Sequence, residues 1–223
     1  SAYALAAVPA RLALERQRWT EAAALRSRTA AWYPWDTAPA VEAILEFARA
    51  LGGARSGDMS LARVALKRLE ELRDQAALTN PYWSTQVEIQ RLSAKGWLEH
   101  AQGERQDALA SLRQAVALES TTEKHPVTPG EVLPARELLA DLLLEQGDLV
   151  RAQKEYEATL ARSPNRFNSL FGAGYAAELV GDGATASRYY QQLLPVTRSA
   201  DPVPERLRHA RHFQKARHAA RSN

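Results

Sequence analysis

Apolar residues recur every three or four positions along most of this chain, and polar residues occupy the positions between them. That spacing is typical of amphipathic α-helices, whereas the period-two alternation of a β-strand is rare here. Glycine and proline fall mostly between the periodic stretches, where they act as breaks. We therefore expect an all-α protein with almost no sheet. The pattern predicts helices over 2–18, 39–52, 60–77, 82–102, 106–119, 132–146, 149–163, 166–180, 184–194 and 204–220.

Two adjacent stretches of the chain match when one of them is shifted by 34 residues. A glycine at the matched turn can end a helix in the left-handed region, and the acidic residue after it suits the start of the next helix. An alanine five residues after the glycine lets the two helices cross closely. The repeat therefore predicts a unit of helix, tight turn and second helix. The clearest matched pairs are Gly147/Gly181, Asp148/Asp182, Ala152/Ala186 and Tyr156/Tyr190.

Similar turns precede this region, and they match less well toward the start of the chain. Gly103-Glu104 and Gly57-Asp58 keep the glycine, whereas Arg18-Trp19 marks a turn without one. We expect one repeat domain over 1–200, built from helix pairs at about 1–31, 38–79, 82–119, 131–164 and 165–195. A basic helix in 201–223 is expected to cap its end. An insertion at 120–130 breaks the register, and we expect it to connect two helices rather than fold over a groove.

The 34-residue period, the Gly-Asp turn and the following alanine resemble the tetratricopeptide repeat. The resemblance is good over 133–194 and looser upstream, and the first helix of each of these repeats lacks the usual aromatic residue, because Arg136 and Leu170 stand there. It implies a right-handed superhelical solenoid of about five helix pairs and a C-terminal capping helix. Segments 3–11, 83–90 and 123–130 are also similar to the C-terminal part of larger bacterial repeat proteins of uncharacterised function. Because Ser1 leads directly into helical sequence, we expect a segment of a longer protein.

Superposing the repeats predicts which residues line the concave face of such a solenoid. The predicted groove combines aromatic rings with both signs of charge, which suits a peptide or an amphipathic helix. Packing between repeats is the alternative role for each residue. The lysine, asparagine and arginine clamp that some tetratricopeptide domains use for a C-terminal carboxylate is absent. The groove positions are Arg11, Phe47, Leu51, Arg55, Trp97, His100, Glu137, Asp141, Asn168, Phe171, Tyr175 and Glu178.

Composition and charge narrow the classes of partner and compartment. The chain has no cysteine, which excludes disulfides and thiolate metal sites. The net charge is +3, and 201–223 holds six lysines and arginines against two acids, so the basic character belongs to the tail. We expect no nucleic-acid partner, no membrane span, no cofactor and no small-molecule ligand. The compartment is undetermined, and we favour a soluble cytoplasmic protein.

Two clusters of polar residues have alternative interpretations. Glu137 and Asp141 lie four residues apart and could act as acid and base or hold a hard cation, but a solvated acidic face is the favoured interpretation. His209 and His212 are three residues apart and could share a metal ion. Their neighbours are cationic, which opposes metal binding, so we expect a basic capping helix there instead.

The sequence thus favours a non-catalytic scaffold whose groove receives a peptide or helix from another protein, or from a missing part of the same chain. Two other classes stay open. The segment could complete a metal-binding or enzymatic site in a larger protein, or it could be a dimerisation module.

Overall fold

The computed structural model describes residues 2–122, 131–196 and 204–222. Within these ranges the chain forms eleven α-helices and one short 3-10 helix, with no strand, so the all-α prediction is confirmed. Residues 123–130 of the insertion predicted at 120–130, and residues 201–203 of the predicted C-terminal segment, lie outside the described residues. The helices are α1 Ala2–Glu15, α2 Trp19–Ala23, α3 Pro39–Ser56, α4 Met59–Ala77, α5 Pro81–Ala101, α6 Arg105–Ser120, α7 Ala135–Glu145, α8 Leu149–Arg162, α9 Phe167–Val180, α10 Gly183–Val196 and α11 Glu205–Ser222.

The chain divides into two compact units, Ser1–Leu138 and Leu139–Asn223, which are called unit 1 and unit 2 below. In unit 1, α3 is the most enclosed helix, because it packs against the two preceding helices, α1 and α2, and against the two following helices, α4 and α5. The next contacts are α4 with α5 and α5 with α6. In unit 2, α9 packs between α8 and α10, and α11 packs against both α10 and α9. The helices named here therefore contact mainly their near neighbours in sequence, as in an array of helix pairs.

Five turns between paired helices have the same backbone geometry. At four of them a glycine lies in the left-handed region, with φ of 90° at Gly57, 85° at Gly103, 82° at Gly147 and 89° at Gly181. A side chain is disfavoured at this φ, which explains the recurring glycine. The alanine five residues later is fully buried in every case, as predicted from the sequence (Ala62, Ala108, Ala152 and Ala186).

The first turn keeps this geometry without the glycine. Gln17 takes the left-handed conformation with φ of 53°, and Arg18 N–H donates to the Ala13 carbonyl at 2.9 Å. The Asp148 and Asp182 amides make the corresponding bond five residues back, also at 2.9 Å. The first turn therefore shares the backbone geometry of the later turns, although Gln17 carries a conformational cost that glycine does not.

The second helix of the first pair is shorter than the predicted pair 1–31 allows, since α2 ends at Ala23. A Cβ at Gly52 of α3 would lie 2.4 Å from the Ala23 amide nitrogen, so the two backbones touch there. Smaller differences occur elsewhere. The structure continues α10 to Val196, one residue beyond Pro195, where the sequence predicted the end of the helix.

The repeated tyrosines explain two internal glycines of α9. An added Cβ would lie 2.3 Å from the ring of Tyr156 at Gly172, and 2.7 Å from the ring of Tyr190 at Gly174. Tyr156 and Tyr190 are both almost fully buried. The two matched tyrosines thus clamp the same helix, one from α8 and one from α10.

Candidate functional site

Unit 1 buries much of the predicted groove. Phe47 is 1% exposed, Leu51 is 0% exposed and Trp97 is 2% exposed, so these side chains belong to the core and present no surface to a ligand in this structure. This corrects the expectation that they line an open groove. The alternative role of packing between helices describes them better, since α3 and α5 pack directly against each other.

Arg11, another predicted groove residue, makes a hydrogen bond to the backbone of its own chain. Its guanidinium Nη2 donates to the Glu131 backbone carbonyl at 2.6 Å, although 120 residues separate the two. The residues after Glu131 are also buried, with Val132 at 3% and Leu133 at 7% exposure. The segment 131–134 therefore does more than join α6 to α7, because it reaches back to the first helix of the unit.

Arg55 lies over two indole rings. Its guanidinium carbon is 3.9 Å from the centre of the Trp97 ring and 4.8 Å from the centre of the Trp19 ring. Stacking of this kind holds a guanidinium flat and fixes its orientation. His100 extends the cluster, with its ring 5.5 Å from that of Trp97 in an edge-to-face arrangement. Arg55 and His100 are half-buried, so this part of the predicted groove does reach the surface.

Arg55 also lines an open depression of about 430 Å³. The opposite wall comes from the first turn and the start of α2, where Arg18, Trp19 and Thr20 contribute side chains. Arg18 pairs with Glu21 at 3.3 Å, a solvent-exposed contact of small energetic weight. The depression is polar, carries two cations against one acid, and has an indole on one wall. Trp19 was recognised in the sequence only as a turn marker, and a bulky aromatic in a tight turn was the signal for its second role.

The acidic residues of α7 do not form a solvated face. Glu137 is 2% exposed, so that interpretation is wrong for this residue. Asp141 is half-buried and accepts a hydrogen bond from the Tyr156 hydroxyl at 2.5 Å. Glu145, one turn further on, is exposed. Asp141 therefore anchors a core tyrosine.

Unit 2 covers its predicted groove residues with its own last helix. Asn168 is 4% exposed and accepts a hydrogen bond from the Arg206 guanidinium at 3.0 Å. The Arg206 guanidinium carbon also lies 5.1 Å from the centre of the Phe171 ring. Phe171 is 8% exposed, whereas Tyr175 keeps a half-buried position. The expected open groove is thus corrected for unit 2, since α11 lies on the α9 residues that would form it.

His209 of α11 lies among three aromatic rings. Ring-centre distances are 5.8 Å to Phe171, 5.5 Å to Tyr175 and 5.9 Å to Tyr190, each close to an edge-to-face arrangement. Its Nε2 is 2.8 Å from Oε2 of Glu178. These four partners of His209 are called the ring cage below. Three aromatic rings and a carboxylate surround this side chain, and the carboxylate makes the site favourable for a cation.

Tyr190, one of the rings of the cage, also contacts the carboxylate of the cage. Its hydroxyl donates to Oε2 of Glu178 at 2.7 Å. Burial, reinforced by that hydrogen bond to the carboxylate, raises the pKa of Tyr190 above its ordinary value. The phenol therefore remains a neutral donor at physiological pH and helps to fix the position of Glu178.

The two histidines singled out in the sequence differ in their surroundings. His209 is half-buried and contacts the Phe171 and Tyr175 rings of α9, whereas His212 is exposed. Among the described residues, no group of three or more histidines, aspartates and glutamates is arranged to hold a metal ion. None of the helices described above is both long and apolar enough to cross a membrane.

A buried carboxylate in unit 1 was missed entirely at the level of sequence. Glu42 of α3 is 2% exposed and accepts hydrogen bonds from Arg28 Nε at 3.0 Å and Arg68 Nε at 2.9 Å. Arg28 adopts a left-handed backbone conformation with φ of 58° in the connection after α2. The hydrogen bonds to Glu42 raise the pKa of both guanidinium groups above the ordinary arginine value. This cluster secures the long first connection to α3 and α4.

Comparison with protein-family models, with curated proteins and with solved structures gave no match to this chain.

Proposed function

We propose that this chain is a non-catalytic repeat protein of the tetratricopeptide type that binds a peptide segment of another protein. The five equivalent turns and the neighbour-to-neighbour helix packing support the repeat class. Proteins built this way use the first helices of their pairs to form a binding surface. The right-handed superhelix is part of this proposal.

The observation that carries the binding role is the stacked arginine of unit 1. Arg55 lies over Trp97 and Trp19 and borders an open polar depression. An arginine oriented by aromatic rings binds a carboxylate with defined geometry, and the half-buried Trp19 ring adds apolar contact area. The chemistry suits an extended peptide that carries an acidic side chain beside an apolar one.

The experiment selects ligands without assuming their identity. The full chain is immobilised and a random peptide display library is panned against it; enriched peptides are then synthesised and titrated by fluorescence anisotropy. We expect enriched peptides with an acidic residue, and Arg55→Gln should weaken their binding about tenfold, because a charge-assisted hydrogen bond is lost. The matched control is Arg63→Gln, an exposed arginine of α4, which should leave affinity unchanged.

Two results would count against the proposal. One is a failure to enrich any peptide on a chain whose far-UV circular dichroism shows it to be folded. The other is a set of binders with equal affinity for the native chain and for Arg55→Gln, because those peptides would be using another surface.

A further inference from the structure

We infer that α9 and α10 of unit 2 form a binding site for an amphipathic helix bearing a basic side chain, and that α11 is the resident occupant, which such a partner displaces. The site is the ring cage with the adjoining surface of Asn168 and Ser187. It is a different site from the depression of unit 1, since it binds a basic side chain whereas the depression is proposed to bind an acidic one.

The first support is the chemistry that α11 uses. Its contacts are those of a bound ligand helix, with one residue per turn reaching a dedicated partner. Arg206 donates to Asn168 at 3.0 Å, and His209 meets Glu178 at 2.8 Å inside three aromatic rings. One turn further on, Gln214 Nε2 donates to the Ser187 carbonyl at 2.6 Å. Helix recognition by residues at positions i, i+3 and i+7 or i+8 is a recurring mode of peptide binding.

The second support is the thin apolar contact beneath these polar groups. On α11, Leu207 and Ala210 are fully buried, and Phe213 is half-buried, with its ring 5.2 Å from that of Tyr190. Core helices such as α3 bury most of their residues, so α11 is held by far less apolar area. A helix docked mainly by polar contacts can be exchanged for another helix that offers the same groups.

The third support is the electrostatic character of α11 itself. The face that points away from unit 2 carries exposed Arg208, Arg211, His212 and Lys215. Like charges three and four residues apart destabilise a helix, so α11 gains much of its order from docking. A competing helix without this repulsion would hold the same site with a smaller ordering cost.

A synthetic peptide of residues 204–222 with a fluorescent label is the probe, and fluorescence anisotropy with the full chain is the assay. The resident helix competes at the high effective concentration of a tethered ligand, so the native chain should bind the peptide weakly. The variant Leu207→Asp removes the buried leucine from the resident α11, and it should bind the peptide at least tenfold more tightly. A second, milder variant, His209→Ala with Gln214→Ala, should show the same direction of change.

Peptide variants test whether the cage selects a cation. The two variants with a weakened resident α11, Leu207→Asp and His209→Ala with Gln214→Ala, are called the opened chains. A peptide with His209→Ala should bind the Leu207→Asp opened chain about tenfold more weakly than the unchanged peptide does, since it loses the ring contacts and the carboxylate partner. A peptide with His209→Lys should retain most of the affinity. Adding Glu178→Gln to the opened chain should remove that preference for a cation. Adding Arg55→Gln should change nothing, which separates this site from the one proposed for unit 1.

The outcomes are decisive in either direction. Equal peptide affinity for the native and opened chains would overturn the inference, because the peptide would then bind outside the α11 site. The same holds if both opened variants keep their helical circular dichroism but bind no peptide. If both variants lose the fold of unit 2, α11 is an inseparable part of its core, and that result also overturns the inference.

Discussion

Replacing Gly103 by alanine isolates the cost of the turn that recurs through this protein. Gly103 has a φ of 85°, and an added Cβ would meet no atom within 4 Å. The substitution therefore introduces no clash, and its whole effect comes from the backbone. A left-handed conformation costs an alanine about 1–2 kcal/mol, and the stiffer unfolded chain returns about 0.4–1 kcal/mol. We expect a net loss of about 0.5–1 kcal/mol.

The tryptophans make this loss easy to assign. All five lie in unit 1, so the fluorescence change in a urea titration reports on that unit, whereas far-UV circular dichroism reports on all helices. Gly103→Ala should shift the midpoint of the fluorescence transition to a lower urea concentration. It should also lower the melting temperature by about 2–4 °C for each kcal/mol of stability lost. Gly181→Ala, with the same open surroundings in unit 2, should lower the stability read from circular dichroism by a similar amount.

Asparagine provides the matched control, because it tolerates the left-handed region better than alanine does. Gly103→Asn should therefore lose less stability than Gly103→Ala, although its side chain is larger. The reasoning would be refuted by a Gly103→Ala variant as stable as the native chain. That result would mean that the turn adopts an ordinary helical conformation, in which alanine is the better residue.

Two further predictions concern buried polar groups. Glu42→Gln should destabilise unit 1 by about 2 kcal/mol in urea titrations followed by fluorescence, because Arg28 and Arg68 lose the charge of a buried acceptor. The control is the exposed Glu21→Gln, which should lower the stability by less than about 0.5 kcal/mol. Equal losses of stability in the two variants would contradict the role given to burial. Burial and a carboxylate acceptor raise the pKa of Tyr189 to about 12, so the stability it contributes is complete below the unfolded pKa near 10 and is lost as the pH rises through 12. Tyr189→Phe should therefore remove one late step from the ultraviolet titration of tyrosinate, and an unchanged late step would exclude this assignment.

The sequence predicted the regular part of this fold because its determinants are local. A glycine that ends one helix, an acid that begins the next and an alanine at the crossing all act within about ten residues. The first turn was harder to recognise, because Gln17 adopts the same left-handed conformation with some strain. Without a glycine at this position, the sequence does not signal the turn. The short α2 could not be foreseen either, because it depends on the backbone contact between Gly52 and Ala23 in the folded unit.

The candidate sites show the same difference between local features, which the sequence predicts, and contacts between distant segments, which it does not. Superposing the repeats selected positions on the first helices, of which Arg55 and His100 reach the surface. Other selected positions, such as Phe47, Leu51 and Trp97, are buried in the core. It could not show that residues 131–134 approach Arg11, or that α11 lies on Phe171 and Glu178, because these contacts join segments distant in sequence. The ring cage combines side chains from α9 and α10 around His209 of α11, and no spacing along one helix encodes that arrangement.

The contact between Arg11 and the Glu131 carbonyl has a consequence for the assembly of unit 1. Arrays of repeats with only neighbouring contacts can fold from any point and can be shortened or extended at either end. Here the first helix is joined to a residue 120 positions later, so this contact closes a long loop at an entropic cost. Removing α1 should therefore loosen the region before α7. Helix pairs could not be added or deleted inside it without breaking that closure.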